Sequence, residues 1–177
     1  MIYTEKSKTN KVKGMIVVIT VSKTFFPQHP KAGKHTYFSE KIDNNFRSLP
    51  IVIRGEATSN KIHTCRSNYE YWAKKISRLK EAGGVLSVRK WIDKPYKKPG
   101  QKTIINIPAE QIGVQKLTFE RNTKYPTVID AFVDGKYVNY LQLANNDGLS
   151  TEDFEAWFKD YNISEPMAII HFTEFRY

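Results

Sequence analysis

Residues 61–92 read KIHTCRSNYEYWAKKISRLKEAGGVLSVRKWI, and the reading of this stretch governs the rest of the chain. Its middle is a helix: Tyr69, Trp72, Ile76 and Leu79 recur at helical spacing as one apolar stripe. Ser67 and Glu70 stand in the S-x-x-E arrangement of a capping box, so the spacing predicts a helix from Ser67 to Ala82. Gly83 and Gly84 end it, because glycine readily takes the left-handed conformation that closes helices. Lys74, Lys75, Arg78 and Lys80 decorate the other side, and Val85 to Ile92 follows as a strand.

Working outward to the N-terminal side, Met15 to Val21 (MIVVITV) is a continuous, mostly β-branched run. That pattern suits a strand buried on both faces or lining a closed barrel. The lysines before it imitate the start of a signal peptide, but the run is short, Lys23 follows at once and no small-residue cleavage site appears. Residues 1–14 are therefore expected to be a flexible basic tail. Phe25 to Lys34 (FFPQHPKAGK) reads as a loop and Thr36 to Phe46 as a short helix. Leu49 to Arg54 fits either a short strand or an ordered loop, and Gly55 to Asn60 is turn-like.

On the C-terminal side, Lys94 to Gly100 (KPYKKPG) is a lysine-rich turn. Lys102 to Ile107 and Val114 to Glu120 are strand candidates. Thr127 to Val133 and Lys136 to Leu143 flank Asp134-Gly135, a tight-hairpin signal. Ala144 to Gly148 (ANNDG) reads as a loop. Ser150 caps a second helix reaching Tyr161, with Phe154, Trp157, Phe158 and Tyr161 on one stripe. Pro166 breaks the chain before a last strand, Met167 to Phe175. Short strands joined mostly without helices predict an α+β fold. The expected form is a small mixed β-barrel of about six strands with flanking helices, one domain over residues 15–177.

Composition narrows the function classes. The 177 residues carry 28 Lys+Arg against 18 Asp+Glu, a net charge of +10. A lone cysteine, Cys65, excludes a disulfide framework and a cysteine-based zinc cluster within one chain. No apolar run approaches the roughly 18–20 residues of a membrane helix. A cytoplasmic setting is expected, without membrane, metal or cofactor. Residues 61–102 hold 12 basic and 3 acidic residues, whereas residues 147–177 hold 2 basic and 7 acidic. So concentrated a positive field attracts polyanions, nucleic acid first among them, or else only keeps the surface solvated.

Two constellations carry chemistry. In Lys61-Ile62-His63-Thr64-Cys65-Arg66 an ammonium, an imidazole, a hydroxyl, a thiol and a guanidinium crowd together. Lysine serves as a base when burial lowers its pKa, threonine as a nucleophile when its proton is taken, and arginine as an anion clamp. On a straight strand Lys61, His63 and Cys65 share one face and Thr64 and Arg66 the other. Convergence of Lys61 with Thr64 therefore needs a bend, and the plainer reading is a charged strand leading into a helix. The second constellation interleaves Arg89, Lys90, Lys94, Lys97, Lys98 and Lys102 with Trp91 and Tyr96. That mixture suits single-stranded nucleic acid, with lysines on phosphates and rings on bases. A solvated hairpin tip explains it as well. His29 and His35 in one loop make a poor metal case without a carboxylate, His171 fits a satisfied core histidine, and Cys65 reads as structural.

K-x-H-T-x-R followed by a helix and a G-x-V-L-x-V strand resembles the ASCH domain, a branch of the PUA-like superfamily of small β-barrels. The N-D-G-L-S turn, the aromatic helix EDFEAWF and the strand AIIHFTEFRY resemble the C-terminal part of that family. The long FPQHPKAGKHT loop is similar to a longer subgroup of unassigned activity. The resemblance implies a cleft that binds RNA or a nucleotide. The ligand-binding residues expected in that cleft are Lys61, His63, Thr64 and Arg66, and the basic, aromatic-interleaved segment adds Arg89, Lys90, Tyr96, Lys97 and Lys98 beside it. The resemblance also implies an alternative, an amidohydrolase that removes an acyl group from a modified nucleoside such as N4-acetylcytidine. There the catalytic residues are Lys61 as base, Thr64 as nucleophile and Asp147, which stands where that branch has a glutamate. Aspartate is one methylene shorter, and Asp147 in an N-N-D-G turn is equally a turn former. Oligomeric state is left open.

Overall fold

The computed structural model describes residues 14–47, 52–53, 56–57, 60–121, 124 and 129–177. The expected tail up to residue 13, most of the 49–60 segment and the start of the Thr127–Val133 strand lie outside the described residues.

The chain runs β1 (Ile16–Val21), α1 (Phe38–Arg47), β2 (Val52–Ile53), β3 (Glu56–Ala57), β4 (His63–Ser67), α2 (Tyr69–Glu81), β5 (Val85–Trp91) and β6 (Gln101–Pro108). It continues through β7 (Gly113–Arg121), β8 (Ile129–Val133), β9 (Lys136–Val138), α3 (Tyr140–Asn146), α4 (Thr151–Phe158) and β10 (Met167–His171). The fold is mixed α+β. One sheet has the order β1-β5-β6, a second the order β4-β10-β7-β8-β9, and β2 pairs β3. Both larger sheets are open, and among the described residues no ladder closes a barrel. Helix α2 packs against β1 of the first sheet and against β7 and β10 of the second, so it joins the two.

β10 lies between β4 and β7, and all five of its residues are buried. Its unbroken apolar run follows from having neighbours on both edges and packing on both faces. β1 differs from expectation. Val17, Ile19 and Val21 are buried, but Ile16 is 58% and Val18 37% exposed. As an edge strand, laddered to β5 alone among the described strands, it turns one face outward, so its β-branched run is buried on one side.

The helix ends depart from the sequence pattern in two places. The side chain of Asn68, not Ser67, accepts from Tyr71 N and caps α2, because Ser67 is still paired in β4. The strand expected over Lys136–Leu143 stops at Val138. Asn139 then caps a helix by accepting from Gln142 N at 3.2 Å, and Leu143 and Ala144 of that helix are buried. Helix α3 thus replaces half a strand and half a loop, and it delivers Asp147 to the site.

Candidate functional site

α3 ends in a hydrogen-bonded reversal. Leu149 N donates to Ala144 O at 3.0 Å and Gly148 N to Asn145 O at 2.9 Å, with Gly148 at φ +77°. This is the glycine-terminated pattern that satisfies the last helical carbonyls. It fixes Asp147 as the capping residue and turns its carboxylate inward, 4% exposed. Lys61, just before β4, meets it through an antiparallel bridge, supported by the bond from Ile62 N to Asn146 O at 2.9 Å. Lys61 Nζ donates to Asp147 Oδ1 at 2.8 Å and to Asp147 O at 2.7 Å. Lys61 is only 1% exposed, and its ammonium lies 4.2 Å from the centre of the Phe38 ring.

Burial pulls the Lys61 ammonium below its ordinary pKa, and Asp147 works against that shift. Burial alone raises the Asp147 carboxyl, but the Lys61 charge and His63 outweigh it and leave it below the usual carboxylate value. Each charge favours the ionised form of the other, and the 2.8 Å geometry of the ion pair supplies the solvation that water no longer does.

His63 stands behind the pair. Its Nδ1 lies 3.5 Å from Asp147 Oδ1, and its Nε2 is 2.8 Å from the Tyr177 hydroxyl. Burial lowers its pKa, which keeps the ring neutral at pH 7. His171 packs edge-on against His63, with ring centroids 5.5 Å apart. It is a core histidine as expected, but not a satisfied one: neither ring nitrogen has a hydrogen-bond partner among the described residues. The strand seats it among apolar residues and the rings of His63, Phe175 and Tyr177.

Lys61, Thr64, Cys65, Arg66 and Asp147 line one cavity of about 40 Å³, walled also by Phe38, Trp157 and Tyr161. Lys61 thus reaches the same space as Thr64, because it lies outside β4 and is drawn in by Asp147. Arg66 Nη2 donates to Thr20 O at 2.7 Å, while its buried Nε has no partner among the described residues. His63 does not line the cavity; it touches it only through Asp147.

His63, Cys65 and Asp147 also bring ligand-type atoms within 4.8 Å of one another. The Lys61 ammonium already sits on that carboxylate, and burial pushes the Cys65 thiol well up, so it stays protonated. A cation would have to displace one charge and remove a proton.

The segment before β4 adds residues that sequence reasoning missed. Phe38 caps the ion pair, and Lys41 Nζ donates to Gly148 O at 2.6 Å. Burial, and then the neighbouring Lys61 charge, pull the Lys41 ammonium down to about 8. His29 stacks on Phe25, with centroids 4.3 Å apart, and Lys31 Nζ lies 2.6 Å from Asp153 Oδ2, tying this loop to α4. The helical pattern over Thr36–Phe46 was visible in the sequence, but nothing local says what its lysine and its ring face.

The second constellation is divided. Arg89 and Lys90 are opposite Thr20 and Val21 of β1, beside the cavity. Arg89 Nε bonds Ser87 Oγ at 2.9 Å, and Lys90 Nζ bonds Ser39 Oγ at 2.7 Å. Both are engaged within the fold. Tyr96, Lys97 and Lys98 stand on the exposed β5–β6 connection, with Tyr96 92% exposed and 5.1 Å from the half-buried Trp91 ring. No helix among the described residues is long and apolar enough to cross a membrane. Comparisons of the chain with models of protein families, with curated protein sequences and with solved structures gave no match.

Proposed function

We propose that the chain is an ASCH domain of PUA-like type that binds RNA or a nucleotide, through the cleft of Lys61, Thr64, Arg66 and Asp147 and the basic surface beside it. One observation carries this reading. A buried Lys61–Asp147 ion pair lines the same cavity as Arg66, whose buried Nε has no partner among the described residues. A buried donor left unpaired costs roughly 1–3 kcal/mol and is offset when a ligand supplies the acceptor. The exposed Tyr96, Lys97 and Lys98 supply a stacking ring and two cations for the polymer that continues beyond the cleft.

Fluorescence anisotropy with labelled single-stranded RNA, single-stranded DNA and duplex RNA, at low and moderate salt, tests it. Binding should favour RNA, weaken with salt, and fall further in Arg66→Ala and Lys61→Ala than in Lys98→Ala. Equal losses in all three would mean unspecific charge attraction and would overturn the cleft.

A second reading is favoured by the shared cavity of Lys61, Thr64 and Asp147: an amidohydrolase acting on an acylated nucleoside. In it Lys61 takes the Thr64 proton while Asp147 holds Lys61 in place. Burial, which lowers the Lys61 pKa against the pull of Asp147, eases the loss of the ion pair's proton that this role requires. Full hydrolysis of N4-acetylcytidine by Thr64→Ala would sink that assignment.

A further inference from the structure

The cavity around the Lys61–Asp147 pair offers about 40 Å³, room for roughly one water molecule. It cannot by itself seat a nucleobase, so a binder centred on it needs a second space. One lies next to it. A groove of about 670 Å³ runs between α4 and the β7–β8 pair. Phe158 and Tyr161 line both the groove and the cavity, so a single aromatic layer separates the two.

The groove has the dimensions and the chemistry of a small-molecule site. Its volume falls within the roughly 300–1,000 Å³ of such sites. Phe119 and Tyr140 wall the other part, their ring centroids 6.5 Å apart, and Phe158 and Tyr161 meet edge to face at 5.0 Å. Exposed Lys159 stands on its rim, with Arg121 and Glu155 beside it. Aromatic walls with a lysine at the rim suit a flat ring that carries an anion. The unpartnered Arg66 Nε, behind Tyr161, adds a donor for a polar substituent reaching inward from that ring.

We propose that this groove seats the base of a nucleotide against Phe158 and Tyr161, with its phosphate at Lys159 and its polar edge directed past Tyr161 to Arg66. The inference rests on the nucleotide-binding reading above and names where the ring goes.

Titration of the ¹⁵N-labelled full chain with adenosine, cytidine and their 5′-monophosphates, and with a single-stranded hexaribonucleotide, tests it. Amide shifts should appear at Phe119, Ile129, Tyr140 and Lys159 together with Arg66. Tyr161→Ala should weaken binding about tenfold and Tyr161→Phe by no more than about twofold, since the ring alone stacks. Tyr161 is 42% exposed, so neither change threatens the fold. Lys159→Glu should weaken the nucleotides but not the nucleosides. A preference for the hexamer at the groove assigns a strand, and equal binding of mononucleotides assigns a free nucleotide; both support the seat. Shifts confined to residues 61–66 and Asp147, with the groove silent, overturn the groove and leave the cleft standing. No shift with any of these probes overturns both.

Discussion

The Tyr177 hydroxyl lies 2.8 Å from His63 Nε2, and it also accepts from Asn146 Nδ2 at 2.9 Å. Because the amide donates to the phenol oxygen, the phenol proton is free to point at His63 Nε2. That leaves the proton of the neutral imidazole on Nδ1, facing Asp147 Oδ1 at 3.5 Å. Gln115 holds the residue from the other side, accepting from Tyr177 N at 2.9 Å.

Long-range ¹H–¹⁵N spectra should therefore show His63 as the Nδ1–H tautomer at pH 7. Tyr177→Phe keeps the ring and removes only the hydroxyl. It should mix the two tautomers and cost about 1–3 kcal/mol, the range for a buried polar group left unpaired. An Nε2–H tautomer in the unaltered protein would refute the arrangement.

The Lys61–Asp147 pair should show strong coupling. Lys61→Met leaves a carboxylate buried without its counter-charge, an expected loss of about 3–5 kcal/mol in urea unfolding. Asp147→Leu should cost a similar amount by stranding the ammonium. The double variant Lys61→Met/Asp147→Leu removes both charges and should be more stable than either single change. Losses that simply add would show that the two charges do not support each other.

Gly148 is crowded as well as left-handed. A Cβ there would meet Lys61 Cβ at 3.0 Å and Lys41 Cδ at 3.3 Å, at φ +77°. Gly33 has nearly the same backbone, φ +75°, with nothing within 4 Å. Gly33→Ala should thus cost only the backbone strain, about 1 kcal/mol, and Gly148→Ala measurably more. Thermal unfolding of the two variants separates crowding at the lysines from strain. Equal shifts in Tm would show that the lysine side chains give way freely.

Much of this was legible in particular residues, and the gaps have physical causes. Leu79 and Ile76 announced α2, and the run from Met167 to Ile170 announced a buried strand, because burial imposes its period on the sequence. Lys61 and Asp147 each stood out, but 86 residues separate them, and no local pattern states that they touch. α3 escaped because Tyr140-Leu141-Gln142-Leu143 alternates like a strand after Val138, while its one helical signal was the Asn139 cap. Lys41 and Phe38 looked like ordinary members of an amphipathic helix, and Tyr177 like a lone aromatic. Their importance comes from what the chain folds against them, which lies outside any local spacing.

Acid should weaken the fold from the neutral side. Burial, with the adjacent His63 and Arg176, pulls the His171 pKa down to about 3. An unfolded histidine titrates near 6.5, so between about pH 6.5 and 3 the unfolded chain binds a proton that the native ring refuses. Stability is therefore full above about pH 6.5 and declines through that window, by an amount on the order of 4 kcal/mol if His171 alone is counted. His63, also lowered by burial, adds in the same direction. The lowered Asp147 carboxyl acts further down: its contribution is present above the unfolded carboxylate value near 3.9 and is lost as pH falls through the folded one. Urea midpoints measured from pH 7.5 to 4 should fall steadily, and His171→Leu, which has no proton to take, should flatten the slope and gain stability relative to the unaltered chain at pH 5. An unchanged slope in His171→Leu would show that the ring is solvated in the native state.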